Sequence, residues 1–145
     1  MPADEFSLIR SYFTHLDQGD AVAVGGGDDC ALLALAADEQ LAVSTDTQVA
    51  GRHFHDDAPA ADVAYRAVAA AASDLAAMGA RPLGMTLALT RPSADDTWLA
   101  AFATGLREVA VDLALPLVGG DTTAGPLTIT VQVMGAVPVA GALLR

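Results

Sequence analysis

A chain of 145 residues is the size of one domain, and 53% hydrophobic residues with mean hydropathy +0.42 supply a packed core, which excludes a disordered segment. Eighteen acidic residues against seven basic ones give a net charge of -11, which opposes unaided binding to nucleic acid or an anionic membrane. All seven basic residues are arginines, so neither a P-loop nor a protein-kinase site, each needing a lysine at the phosphates, can be built, and metal ions would have to neutralise any nucleotide phosphates.

The opening MPADEFSLIR carries acids where a signal peptide carries basic residues. The longest Ala/Val-rich stretch, residues 63–80, is broken by Tyr65, Arg66, Ser73 and Asp74, so no transmembrane helix is expected. A single cysteine, Cys30, excludes an internal disulfide and is expected to be buried at the head of an apolar run. These features point to a cytoplasmic chain.

Phe6, Leu8, Ile9, Tyr12, Phe13 and Leu16 recur at helical spacing and predict an amphipathic helix over about residues 5–16. Gly25-Gly26-Gly27-Asp28-Asp29 predicts a turn, followed by a buried strand over 30–35 and another over 40–49. A loop over 51–59 leads to a long helix over 61–78, stopped by Gly79 and Pro82. Further on come a strand over 83–89, a helix over 95–113 with Asp95 or Asp96 near its N-cap, and a short strand over 116–118. A second glycine-rich turn, Gly119-Gly120-Asp121-Thr122-Thr123, precedes a strand over 127–137, in which Ile129, Val131 and Val133 share one face. The expected fold is one α+β domain, a mixed or antiparallel sheet with helices on one face. Strands this apolar call for a cover on the other face, such as a second sheet from a partner subunit.

Three aspartates stand out: Asp29 after three glycines, Asp46 inside a strand, and Asp121 after two glycines. Glycine lets a ligand approach exposed backbone amides closely, so both turns suit a metal-binding carboxylate, although each is also an ordinary Asx-turn sequence. Alternation puts Asp46 and Ser44 on one face of their strand, with Val43 and Thr45 on the other. Asp74 falls on the stripe Ala67, Ala70, Ala71, Ala77, Met78; it is either a carboxylate turned toward the sheet, which burial would require to be paired or metal-bound, or a solvent-facing residue of a helix apolar nearly all round. Oxygen donors without a His/Cys cluster favour Mg²⁺ over Zn²⁺. His53 and His55 have no third soft ligand in reach, which leaves His53 as a substrate contact or a plain loop residue.

The strings GGGDDCALL, STDTQVAGRHF, SDLAAMGARP and LVGGDTTAGP, in that order, resemble the thiamine-monophosphate kinase family, and GRHF with the EFSLI opening favours it over the aminoimidazole ribonucleotide synthetase and selenophosphate synthetase families that share the domain. The resemblance implies that residues 1–145 form an N-terminal ATP- and magnesium-binding domain, with a second α/β domain beyond it. It implies a homodimer whose sheets join into a barrel. It implies magnesium at Asp29, Ser44, Thr45, Asp46, Asp74 and Asp121, ATP against Gly120, Asp121 and Arg145, and His53 touching the substrate, thiamine monophosphate. The implied reaction is transfer of the ATP γ-phosphoryl group to that phosphate. The alternatives are another ATP-dependent synthetase of the superfamily, or a nucleotide-binding dimerisation module. The chain departs from the pattern at Ala124, where an arginine is expected, and at Ala72, where an asparagine is expected.

Overall fold

The computed structural model describes Ser7 and residues 11–13, 15–92 and 95–145. Their elements run β1 (Val22–Val24), β2 (Leu32–Leu33), β3 (Glu39–Val49), α1 (Ala60–Ala77), β4 (Arg81–Arg91), α2 (Asp96–Asp112), β5 (Leu117–Ala124) and β6 (Thr128–Pro138). The helix expected over residues 5–16 lies largely outside the described residues.

The long alternating strands pair as their patterns require. β3 and β6 run antiparallel in unbroken register from Glu39↔Pro138 to Val49↔Thr128, and β6 pairs antiparallel with β4 on its other side. β5 then adds parallel to β4, giving a four-stranded mixed sheet in the order β3-β6-β4-β5, while β1 and β2 form a separate two-stranded ribbon. The parallel pair needs a crossover, and α2 supplies it.

One face of the sheet is dry. Met85, Leu87 and Leu89 of β4 and Ile129, Val131 and Val133 of β6 join Ala64, Ala67, Val68, Ala71 and Leu75 of α1 and Leu99, Phe102, Leu106 and Val109 of α2 in one core. This is the expected α+β arrangement with both helices on one face. The helices cross closely because position 105 is glycine: a Cβ there would stand 2.1 Å from the carbonyl oxygen of Ala61. Tyr65 Oη also donates to Asp112 Oδ2 at 2.9 Å, and that bond is the main reason its hydroxyl pKa is raised.

Both helix ends are closed in ways the sequence signalled. Asp95 is the N-cap of α2, its Oδ1 accepting from the backbone N–H groups of Thr97 and Trp98 at 2.9 and 3.1 Å. After α1, Gly79 N–H donates to Ala76 O and Ala80 N–H to Leu75 O, the paired bonds of a Schellman ending.

The opposite face of the sheet is open. It carries Leu41, Val43, Thr45 and Thr47 of β3 beside Thr130, Gln132 and Met134 of β6, with Leu41 and Val43 49% and 52% exposed. Two expectations need correction here. The strand over 30–35 shrinks to Leu32–Leu33 on the small ribbon, where Leu32 is 57% exposed and Cys30 lies at the surface rather than in the core. A two-residue strand on a ribbon has no second layer to bury it.

Gln48 is a misfit on the dry face. It is only 5% exposed and its Oε1 has no hydrogen-bond partner. A buried unmet carbonyl costs about 1–3 kcal/mol, so Gln48→Leu, which keeps the volume, is expected to stabilise the fold by about 1 kcal/mol. Urea unfolding should show a higher midpoint at unchanged slope; a lower midpoint would mean the amide nitrogen's contacts outweigh the orphaned oxygen.

Candidate functional site

The residues singled out in the sequence gather at the two opposite edges of the sheet. At the β3 edge, Ser44 and Asp46 share the helix-facing side, as alternation required, because they pair with the buried Val133 and Val131 of β6. Ser44 Oγ donates to Asp74 Oδ2 at 2.5 Å, joining strand to helix. Asp74 shares the angular range of the buried stripe but is itself exposed. The face α1 buries comprises Ala60, Val63, Ala64, Ala67, Val68, Ala71 and Leu75, so Asp74 is exposed at its margin and reaches back to the edge strand. The two readings therefore combine, a carboxylate turned toward the sheet that stays exposed because it meets only the edge strand, an outcome the nearly all-apolar helix could not show. The side chain of Thr45 points the other way, onto the open face, where Thr45 Oγ1 accepts from Gln132 Nε2 at 3.4 Å.

Beyond the end of β3, Phe54 is buried and pins the loop, with Gly51 N–H donating to Phe54 O at 2.9 Å. The same loop folds His53 back so that its Nδ1 accepts from the N–H of Val49 at 3.0 Å. That bond selects the neutral tautomer with the proton on Nε2 and leaves an exposed His53 offering a donor to solvent.

At the other edge, a groove of about 420 Å³ is walled on one side by Gly26, Gly27, Asp28, Asp29, Cys30 and Ala31, and on the other by residues 117–122, including Gly120 and Asp121. Asp28 is committed to its own turn, its Oδ1 accepting from the N–H of Asp29 at 2.8 Å. That bond to the next residue occupies Asp28 rather than Asp29. Residues 119–123 are not a turn; they lie within β5. Gly120 has φ +151, and a Cβ on it would stand 1.9 Å from the carbonyl oxygen of Leu87, so this glycine lets β5 press against β4. Arg145 is exposed and does not line the groove.

β3 and β5 are separated by β6 and β4, so three strand spacings, about 14 Å, divide Asp46 from the row of Gly120. Among the described residues no three His, Cys, Asp or Glu side chains are arranged to hold a metal ion. The oxygen donors therefore form two partial sets, Ser44/Asp46/Asp74 and Asp29/Asp121. Each is too small for a closed protein cage, but hard oxygen donors in small number suit Mg²⁺, which keeps water and phosphate in its shell. No helix among the described residues is long and apolar enough to cross a membrane.

A mixed sheet with helices on one face and carboxylates beside glycine-rich backbone defines the class. Residues 27–137 match the family model of the AIR synthase related protein, N-terminal domain, and the chain belongs to that family. More particularly, it is 49% identical over 146 residues to thiamine-monophosphate kinase of Escherichia coli (strain K12), covering 100% of this chain and 45% of that protein. It is 38% identical over 147 residues to the Bacillus subtilis (strain 168) enzyme of that name, covering 98% and 45%. The crystal structure of thiamine-monophosphate kinase from Stenotrophomonas maltophilia K279a superposes with a TM-score of 0.84 at 43% identity, over 98% of this chain and 45% of that one. The chain thus spans under half the length of these relatives.

Proposed function

We propose that this chain is the N-terminal domain of a magnesium-dependent kinase that transfers the γ-phosphoryl group of ATP to thiamine monophosphate, giving thiamine diphosphate and ADP in the cytoplasm. The observation that carries this reading is the groove in which Asp29 faces Gly120 and Asp121, because it combines close backbone approach with carboxylates in a chain without lysine. The relatives named for that reaction support it.

The acceptor phosphate is already ionised near neutral pH, so the protein needs no general base. The residues' work is placement. β5 presents backbone to the nucleotide at Gly120, and Arg145 meets its phosphates in the complete protein. Ser44, by donating to Asp74, ties that carboxylate to the strand that carries Asp46. His53, its Nδ1 occupied, directs Nε2–H to the acceptor phosphate. Magnesium held by Asp29, Ser44, Asp46, Asp74 and Asp121, with Thr45 contributing through its backbone, would supply positive charge against two repelling phosphates.

Since one chain splits these donors between opposite edges, a second copy completes the set. The open face of the sheet, with half-exposed Leu41 and Val43, is the surface that a second sheet covers to close a barrel.

Calorimetric titration of this chain with a non-hydrolysable ATP analogue tests the reading. Binding in the presence of Mg²⁺ that falls at least about tenfold in EDTA is expected, since charge on the phosphates must be met by metal here. Absence of binding under every condition would remove the nucleotide site from this domain.

A further inference from the structure

The two walls of the groove come from segments far apart in sequence, and consecutive residues of the N-terminal segment hold both. Leu16 is 8% exposed and its carbonyl accepts from the N–H of Leu117, where β5 begins, at 2.8 Å. The next residue, Asp17, accepts from the N–H of Gly26 through Oδ2 at 3.1 Å, while its Oδ1 takes a 3.3 Å bond from Gln18 Nε2. Both carboxylate oxygens are therefore engaged. The contact is close enough to dictate the neighbouring residue: a Cβ at position 25 would stand 2.1 Å from Asp17 Oδ2 and 2.8 Å from both Asp17 Cβ and Cγ.

We propose that Asp17 is a positioning residue that sets the spacing between the Gly26–Ala31 wall, which carries Asp29, and the β5 wall, which carries Gly120 and Asp121. The inference rests on the reading of the groove as the nucleotide site. Asp17 touches no ligand itself. It acts through the Gly26 amide, and because Leu16 is anchored to β5, a fixed Asp17–Gly26 bond fixes the width of the groove. Backbone tethers of this kind matter because small misplacements of a phosphate-binding turn cost affinity steeply.

The variants Asp17→Ala, Asp17→Asn and Gly25→Ala of this chain, titrated with a non-hydrolysable ATP analogue and Mg²⁺, test the proposal, with thermal unfolding run in parallel. Loss of one charge-assisted acceptor predicts about tenfold weaker binding for Asp17→Ala. Asp17→Asn keeps an oxygen that can accept from Gly26 and should bind within about threefold of wild type. Gly25→Ala, which evicts the carboxylate, should reproduce the loss. Amide exchange at Gly26 should quicken in the first and third variants and not in the second. Unchanged affinity in Asp17→Ala with wild-type binding intact overturns this inference alone; equal loss in Asp17→Asn overturns it too, because charge rather than the tether would then matter. Wild-type chain that binds no nucleotide overturns the functional reading, and the inference falls with it.

Discussion

In the full-length protein that carries this domain, Asp46→Asn and Asp121→Asn will each lower turnover by about two to three orders of magnitude, the scale of losing one electrostatic partner of a transferring group. The substitution keeps size and hydrogen-bonding capacity while removing the charge that holds a cation. The two residues lie on opposite edges of the sheet, at β3 and β5. If each site takes Asp46 from one copy and Asp121 from the other, the two dead variants will rescue each other when subunits are mixed. Roughly half the dimers would be mixed and one site in each intact, so about a quarter of wild-type turnover should return. Recovery at that level, measured by formation of thiamine diphosphate, would establish a shared site. No recovery would mean that a nucleotide spans both edges of a single chain, and near-normal turnover of either variant alone would sink the metal reading.

Gly120→Ala will cost about 3 kcal/mol or more, whereas Gly119→Ala next to it will cost little. The difference lies in what each new Cβ meets. At Gly120 it would stand 1.9 Å from the carbonyl oxygen and 2.7 Å from the carbonyl carbon of Leu87, which are backbone atoms of a paired strand and cannot rotate away. At Gly119 it would meet only Thr86 Cγ2, at 3.8 Å, an ordinary contact. The positive φ of +151 at Gly120 adds to the penalty. Denaturant midpoints of the two variants check this. Equal midpoints would contradict the close β4–β5 approach, and nucleotide binding should disappear with stability only in the Gly120 variant.

Particular residues show which kinds of information a sequence carries. Ser44 and Asp46 could be placed on one face because strand period is 2 and nothing interrupts it between Glu39 and Val49. The N-cap of α2 was legible at Asp95 for the same kind of reason, a local hydrogen bond with a known residue preference. The stretch 119–123 reads as a turn because glycine ordinarily weakens a strand; only the neighbouring β4 backbone, more than thirty residues earlier, explains why glycine is needed in one. The exposure of Cys30 is not legible because an apolar run says what could be buried and not whether a second layer exists to bury it. Asp17 carried no signal at all. Its partner Gly26 lies nine residues on, and the only local trace of the contact is the glycine at position 25, where a Cβ would displace the Asp17 carboxylate.

The central place of β6 has a consequence for how the domain is made. Its strand is the last in the sheet to be synthesised, yet β3 and β4 both pair with it and not with each other. While the ribosome adds the residues between Val49 and Thr128, at about 5–20 per second, β3 waits with no native partner and β4, which can pair only with β5, keeps its other edge open. Helices α1 and α2 can dock on each other in that interval, but the sheet cannot close. Nascent chains released or stalled before Pro138 should therefore be the form of this domain most prone to edge-to-edge association and most dependent on chaperones.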